Sequence, residues 1–281
     1  MPELPEVETI KETLKLLVQG KTIEKADVLW ANIIKQPDDA EIFKHLLEGQ
    51  TFQQIKRKGK FLLFYLDEYV LVSHLRMEGK YRLHQPGEEI EKHTHVVFHL
   101  KNGETLRYND VRKFGTMHLL AKGSEFTQAP LAALGPEPFE EAFTTDYFYE
   151  KLKKSSRFIK TALLDQNLVT GLGNIYVDET LFRSGIHPLT KCNELTKKEA
   201  SVIRSAAIET LQEALKAGGT TIRSYVDSQG NMGMFQQVLY VYGQDKKPCK
   251  TCGEEIIKMK VGGRGTHLCL HCQPQKKVNV L

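Results

Sequence analysis

The sequence lacks any apolar run approaching the ~18 residues that a membrane-spanning helix needs, and its opening, MPELPEVETI, is acidic where a secretory leader is basic and then apolar. Neither a membrane span nor a signal peptide is expected, and the cytoplasm is the expected location. Internal repeats and low-complexity tracts are missing as well. Cysteine is scarce, with five residues, four of them between positions 249 and 272. None of the ten histidines is followed two positions later by glutamate, so the His-x-Glu half of a zinc-deaminase site is absent. A large excess of one charge is missing too, since the formal net charge is only +4.

What is present reads as globular. Hydrophobic residues make up 41% and charged residues 26%, and 281 residues leave room for two or three domains of the usual ~100–200 residues. The charge is unevenly spread: residues 244–281 hold eight Lys and Arg against three Asp and Glu, a local +5 that leaves −1 for the remainder. Two further runs are densely basic, KRKGK at 56–60 and KLKKSSRFIK at 151–160, the second with no acid at all. Each run alone reads as a solvated surface. Together with the basic tail they point to a local face for a polyanion such as nucleic acid.

Val7, Ile10, Leu14 and Leu17 recur at helical spacing up to Gly20, which predicts an amphipathic helix over residues ~5–19 with Pro5 in its first turn. The pattern then turns to strands in FLLFYL, YVLVSHL, HVVFHL and ETLRYN, with Asn102-Gly103 between the last two as a hairpin signal. Residues 1–125 thus read as a β-sandwich domain carrying an N-terminal helix, and the Pro- and Gly-broken stretch 126–140 as a linker. Helical signals follow in FIKTALLDQ, in NIYVDETLFRSG ending at Gly185, and in a long helix from Thr196 to Ala217 stopped by Gly218-Gly219. A helical domain over 141–235 is expected, ending in a segment, 218–235, rich in Gly, Ser and Thr. QVLYVYG reads as strand-like and leads into a cysteine-rich module over 236–281. The expected fold class is α+β, multidomain.

Cys249-x2-Cys252-x16-Cys269-x2-Cys272 has the spacing of a four-thiolate zinc ribbon, in which two tight turns each present two sulfurs to one tetrahedral ion. Two disulfides are the alternative, disfavoured in a cytoplasmic chain. His267 and His271 are further ligand candidates, though four cysteines leave little need for them. A closed four-cysteine site keeps no position for water, so one structural Zn2+ is expected. Its task would be to hold a basic hairpin in which GGRGTH exposes the Arg264 guanidinium on a tight turn. Cys192, outside the ribbon, reads as a small buried hydrophobe.

At the other end, Met1 is readily trimmed before a small residue such as proline, which would make Pro2 a secondary amine with a reference pKa of ~7.7–8.0. The unprotonated amine can attack an electrophilic carbon and form an iminium, chemistry that needs an acid–base partner. Glu3 is adjacent, and Glu6 lies one helical turn further on. On composition alone, Glu3, Glu6 and Glu8 simply complement the helix dipole.

PELPEVET at the start, KRKGKFL at 56–62, LVTGLGNIYVDE at 168–179 and GRGTHLCLHCQ in the ribbon change that reading. In this order and spacing they resemble the formamidopyrimidine-DNA glycosylase family, and the resemblance spans essentially the whole chain. It implies a base-excision repair enzyme that removes oxidised purines, such as 8-oxoguanine and formamidopyrimidines, from double-stranded DNA. The same enzyme would cut the resulting abasic site as a lyase, by β- and δ-elimination. Pro2 matches the nucleophile that attacks the sugar C1′ and is left as a Schiff base. Glu3 matches the proton donor that opens the sugar ring, Glu6 a supporting carboxylate, Lys58 the donor for β-elimination and Arg264 that for δ-elimination.

The resemblance also assigns DNA contacts. Met77, Arg112 and Phe114 match the trio that fills the hole left by the extruded base, Phe114 as the wedge and Arg112 facing an unpaired cytosine. TALLDQNLVTGLGNIYVDE resembles the helix-two-turns-helix element, where Lys160 and Asn174 match residues that grip phosphates flanking the lesion; His93 matches another contact. Without the family, Met77 and Phe114 would read as core, Arg112 as surface charge and His93 as structural. The 218–235 segment corresponds to the lesion-recognition loop, with 236–281 as the DNA-binding zinc module. The sister group, endonuclease VIII, prefers oxidised pyrimidines and typically opens with glycine where this chain has Leu4. Leu4 and the trio therefore favour the oxidised-purine branch. The chemistry needs one copy, and a monomer is expected.

Overall fold

The computed structural model describes residues 1–220 and 234–275. These fall into two compact units, one built from Met1–Ala133 and the segment that begins at Gly218, the other from Leu134–Ala217 and the chain from Met234 onward. Residues 221–233, most of the expected lesion-recognition loop, and residues 276–281 lie outside the described residues.

The first unit opens with helix α1, Leu4–Val18, which buries Leu4, Val7, Ile10, Leu14 and Val18 along one face and ends before Gly20, whose φ is +82°. Nine strands follow: β1 Ile23–Val28, β2 Ile34–Gln36, β3 Gln54–Lys58, β4 Phe61–Tyr65, β5 Tyr69–His74, β6 Lys80–His84, β7 Thr94–Leu100, β8 Thr105–Asn109 and β9 Thr116–Ala121. A short helix, α2 Ala40–Leu47, interrupts them. The strands make two sheets, an antiparallel one ordered β1-β7-β8-β6 and a five-stranded one ordered β2-β9-β5-β4-β3, in which only β2 and β9 run parallel. The four strand segments read from the sequence are β4, β5, β7 and β8. Gly103 closes the predicted hairpin at φ +87°.

Alternate residues of the sheets meet in one core. An aromatic chain runs through it from Phe98 to Phe52, Phe64, Tyr81 and Tyr108, with successive ring centroids 6.3, 5.7, 5.2 and 5.0 Å apart and mostly edge-on. Such rings are stiff, so what hangs from the Tyr108 end of β8 is held from the middle of the sandwich.

The second unit holds α3 Thr145–Lys153, α4 Ile159–Leu163, α5 Asn174–Arg183, α6 Lys197–Lys216 and a hairpin of β10 Ile257–Val261 and β11 Arg264–Leu268. The α6 helix begins in a capping box: Glu199 N–H donates to Thr196 Oγ1 (3.2 Å) and Thr196 N–H donates to Glu199 Oε2 (2.8 Å). Two expectations are corrected here. The helix expected over FIKTALLDQ stops at Leu163, because Gln166 turns the chain: its Nε2 donates to Leu164 O and Leu172 O, and its Oε1 accepts from Gly171 N–H. QVLYVYG is not a strand but a turn region after a single 3-10 turn, since the Glu179 carboxylate takes the amides of Tyr240, Val241 and Tyr242, each at 2.9 Å, that a strand would give to a neighbour. Among the described residues no helix is long and apolar enough to cross a membrane.

Candidate active site

The N-terminus of α1 is built around two buried carboxylates. Glu3 is the N-cap residue and is 3% exposed; Glu6, on the first turn, is 5% exposed, and Pro2 beside them is buried. A carboxylate so far from water needs donors. Glu6 has them: its Oε2 accepts from Glu3 N–H at 2.8 Å, and its Oε1 accepts from Thr220 N–H at 2.8 Å and Thr220 Oγ1–H at 3.1 Å. Gly219 passes so close that a Cβ there would lie 2.8 Å from Glu6 Oε1. Glu6 therefore ties the backbone that carries Pro2 and Glu3 to the start of the 218–235 segment. Pro2, Glu3 and Glu6 come together at one helix terminus.

The basic run KRKGK is not one solvated face. Lys56 is exposed beside the Tyr65 ring, Arg57 donates through Nε to Glu8 Oε2 on α1 (2.7 Å), Lys58 is half-buried at the end of β3, and Lys60 is buried at 4% exposure on the two-residue β3–β4 turn. A lysine that far out of water on a hairpin tip is unusual. Next to it, His74 is buried in edge-on contact with Phe61 (4.6 Å). Burial first, and then the Arg76 and Lys60 charges, push its pKa down to about 3, so it is a neutral imidazole whose Nδ1 accepts from Arg76 N–H at 2.9 Å. Sequence reasoning passed over both Lys60 and His74. The signal for Lys60 was its place after Gly59, whose φ is +57°, in the tight turn between β3 and β4.

Two loops of this unit present the expected hole-filling trio. Met77 is half-buried, while Arg112 and Phe114 are exposed, Phe114 at 51%, with the Arg112 guanidinium 4.7 Å from the Phe114 ring centroid. Their loop is shaped by Asp110, 1% exposed, whose Oδ1 accepts from Arg112 N–H (3.0 Å) and whose Oδ2 accepts from Phe114 N–H (2.9 Å) and Gly115 N–H (2.8 Å). His95 Nε2–H supports the same residue by donating to Asp110 O at 2.7 Å. His93 stands at φ +69° just before β7, half-buried, its carbonyl accepting from Asp110 N–H. Asp110 and His95 are the supports the sequence alone did not single out; an acid spaced two and four residues ahead of the amides it receives is the signal.

In the second unit, Lys160 is fully buried and its ammonium pairs with Asp178, itself 1% exposed. Asp178 Oδ2 also accepts from His267 N–H at 2.9 Å, with His267 Nδ1 at 3.3 Å. Asn174, the first residue of α5, donates through Nδ2 to Gly265 O at 2.9 Å. Both residues thus hold the β10–β11 hairpin to α4 and α5. That hairpin turns at Gly262-Gly263, φ +54° and +77°, a turn with both central residues left-handed, and Arg264 stands exposed on its far side, paired with Val261.

The four ribbon cysteines converge behind the hairpin. Their sulfurs all lie within 4.8 Å of one another, with Cys252 and Cys269 at 3.4 Å and Cys249 and Cys272 at 3.9 Å. Four thiolates at ~2.3 Å from a tetrahedral zinc stand about 3.8 Å apart, so the donor set fits one Zn2+ and leaves no open position. His267 is engaged by Asp178, which leaves the four sulfurs as the donor set for a structural zinc.

Residues 1–117 match the formamidopyrimidine-DNA glycosylase N-terminal domain, residues 134–226 the H2TH domain of the same enzymes, and residues 246–275 the zinc finger found in FPG and IleRS. The formamidopyrimidine-DNA glycosylase of Oceanobacillus iheyensis is 67% identical over 99% of both chains, and that of Bacillus subtilis is 57% identical over 98% of this chain and all of the relative. A Lactococcus lactis Fpg variant in complex with Fapy-dG DNA superposes with a TM-score of 0.91 at 43% identity, covering 98% of this chain and all of that one. A complex of the Lactococcus lactis protein with abasic-site DNA gives 0.90 at 42% identity, covering 97% of this chain and all of that one. The chain belongs to the formamidopyrimidine-DNA glycosylase family.

Proposed function

We infer that this protein is a bifunctional DNA glycosylase and abasic-site lyase of base-excision repair, acting on double-stranded DNA that carries oxidised purines. The observation that carries the reading is the buried Glu3–Glu6 pair beside Pro2, in a chain whose relatives are formamidopyrimidine-DNA glycosylases over their whole length. With Met1 removed, the Pro2 amine attacks C1′ of the damaged nucleotide. The bond to the base breaks, the base leaves with its electron pair and a proton, and Glu3 protonates the ring oxygen so that the sugar opens. The resulting iminium acidifies C2′–H, the 3′-phosphate leaves by β-elimination and the 5′-phosphate by δ-elimination, the latter assisted by Arg264. Glu6 keeps Glu3 and Pro2 in place. Met77, Arg112 and Phe114 fill the hole, and His93, Lys160 and Asn174 support the phosphates, Lys160 by fixing the hairpin from its buried position. The zinc has a structural task, and the protein works as a monomer on chromosomal DNA in the cytoplasm.

For β-elimination, burial favours Lys60 over Lys58, because a lysine at 4% exposure beside neutral His74 is held in a fixed place on the β3–β4 turn, whereas Lys58 is only half-buried. The experiment is strand cleavage of duplexes carrying 8-oxoguanine opposite cytosine or a preformed abasic site. Wild type nicks both; protein whose Pro2 amine is blocked by acetylation binds with salt-sensitive affinity but nicks neither. Lys60→Met slows cleavage of the abasic duplex by about 10²-fold, and Lys58→Met leaves it near wild type. Nicking by the amine-blocked protein would sink the mechanism, and a large effect of Lys58→Met with none from Lys60→Met would return the step to Lys58.

A further inference from the structure

Tyr108 lies on β8 with no exposed surface, its ring edge-on to Tyr81, whose hydroxyl donates to Ser73 Oγ at 2.8 Å. The far end of Tyr108 reaches two glycines that belong to different loops. A Cβ placed on Gly115 would overlap the Tyr108 hydroxyl and sit 2.7 Å from its Cζ, and the three nearest atoms are all from Tyr108. One placed on Gly79 would overlap the same hydroxyl and sit 2.8 Å from Cζ and 2.6 Å from Leu75 O. Neither glycine has a positive φ, so backbone conformation does not demand glycine at either place. At Gly115 the tyrosine does, and at Gly79 the tyrosine does together with the Leu75 carbonyl.

Gly79 closes the turn that carries Met77, its N–H donating to Leu75 O at 3.0 Å, and Gly115 follows Phe114 directly, its N–H donating to Asp110 Oδ2. We infer that Tyr108 is a positioning residue that locks the two hole-filling loops in one register. Its ring is set by the aromatic chain of the core, and both loops close against its hydroxyl end. The height of Arg112 over an opposite base is therefore fixed relative to Met77, and the trio enters the duplex as one body. A rigid aromatic with two torsions does this at little entropic cost, where a flexible side chain would let each loop settle independently. The consequence is specificity: a loop free to shift loses the geometry that separates cytosine from adenine opposite the lesion.

This inference rests on the proposed hole-filling role of Arg112, and the test separates the two. Excision of 8-oxoguanine opposite cytosine and opposite adenine is compared for wild type, Gly115→Ala, Tyr108→Phe/Gly115→Ala and Arg112→Ala. Borohydride trapping on a preformed abasic site measures the intact nucleophile. Gly115→Ala is expected to lower the cytosine preference roughly tenfold with trapping within about twofold of wild type, and removal of the hydroxyl in the double variant, which relieves the closest overlap and leaves the 2.7 Å approach to Cζ, is expected to restore part of it. A purely structural defect would reduce trapping as well and would not be rescued. If Arg112→Ala loses the preference while Gly115→Ala keeps it, the lock is overturned and the hole-filling role stands. If Arg112→Ala keeps the preference, the hole-filling role fails, and hydrogen exchange decides the lock, as it does if Gly115→Ala does not fold. Tyr108→Phe is expected to speed amide exchange in 76–79 and 111–115 together, and a change confined to one loop, or to neither, overturns the lock.

Discussion

At the scale of single residues, the site is organised by buried polar groups whose partners are backbone amides. Asp110 receives three, Glu179 three, and Glu6 two amides and a hydroxyl. Each shapes an irregular stretch that no periodicity could have specified, because a carboxylate taking two or three N–H groups replaces the ladder of a helix or strand. His74 is the opposite case, a buried group that stays neutral. Its pKa is held at about 3 against an ordinary value of 6.5, so between those pH values the unfolded chain binds a proton that the folded one does not. Stability therefore rises with pH across that window, with a slope of up to about 1.4 kcal/mol per pH unit from this residue. Urea titrations from pH 3.5 to 7 are expected to show a shallower acid loss in His74→Gln than in wild type. Identical slopes would place the imidazole in contact with water.

At the scale of elements, the strands legible in the sequence are the inner ones. FLLFYL, YVLVSHL, HVVFHL and ETLRYN pair on both sides as β4, β5, β7 and β8, and inner strands are apolar. The strands at the sheet edges, β1 IEKADV, β2 IKQ, β3 QIKRK and β6 KYRLH, are charged, as edges must be to resist pairing with another chain, and the sequence did not single them out; nor did it single out the inner strand β9. Helix α6 was legible at both ends, because Thr196 opens it in a capping box and Gly218 follows its C-cap. In contrast, the resemblance gave Lys160 as a residue gripping phosphates, and only the fold reveals that Asp178, in the LVTGLGNIYVDE motif, pairs with its charge inside. Asp178→Asn removes the carboxylate that pairs with the buried Lys160 ammonium and is expected to destabilise the second unit by about 3–5 kcal/mol, with part regained by adding Lys160→Met. Thermal unfolding measures it, and a loss under about 1 kcal/mol would mean that the ammonium finds other solvation.

At the scale of the whole molecule, the chain distributes its tasks by how each part is stabilised. The sandwich unit has a continuous apolar core, while the ribbon relies on a handful of residues, Val241, Cys249, Ile256 and Cys269 against Phe182. So small a core does not hold a hairpin unaided, and bound zinc supplies the difference, as in other short metal-bound modules. Chelation is expected to raise hydrogen exchange across 246–275 and to abolish DNA binding, while exchange in β4, β5 and β7 stays slow. Fast exchange in those strands after chelation would contradict a purely local role for the metal. Pro2, Glu3, Arg264 and the four cysteines were legible as candidates because each sits in a short motif with a fixed local geometry. Lys60, His74, Asp110 and Tyr108 were not, because their importance comes from burial and from partners far along the chain. The central claim is that Pro2 is the nucleophile of a glycosylase. Borohydride reduction on a duplex with 8-oxoguanine opposite cytosine, followed by mass mapping of the cross-linked peptide, is predicted to give one adduct, on Pro2, absent with undamaged DNA. An adduct on a lysine, or none although DNA is bound and Met1 is gone, would contradict it.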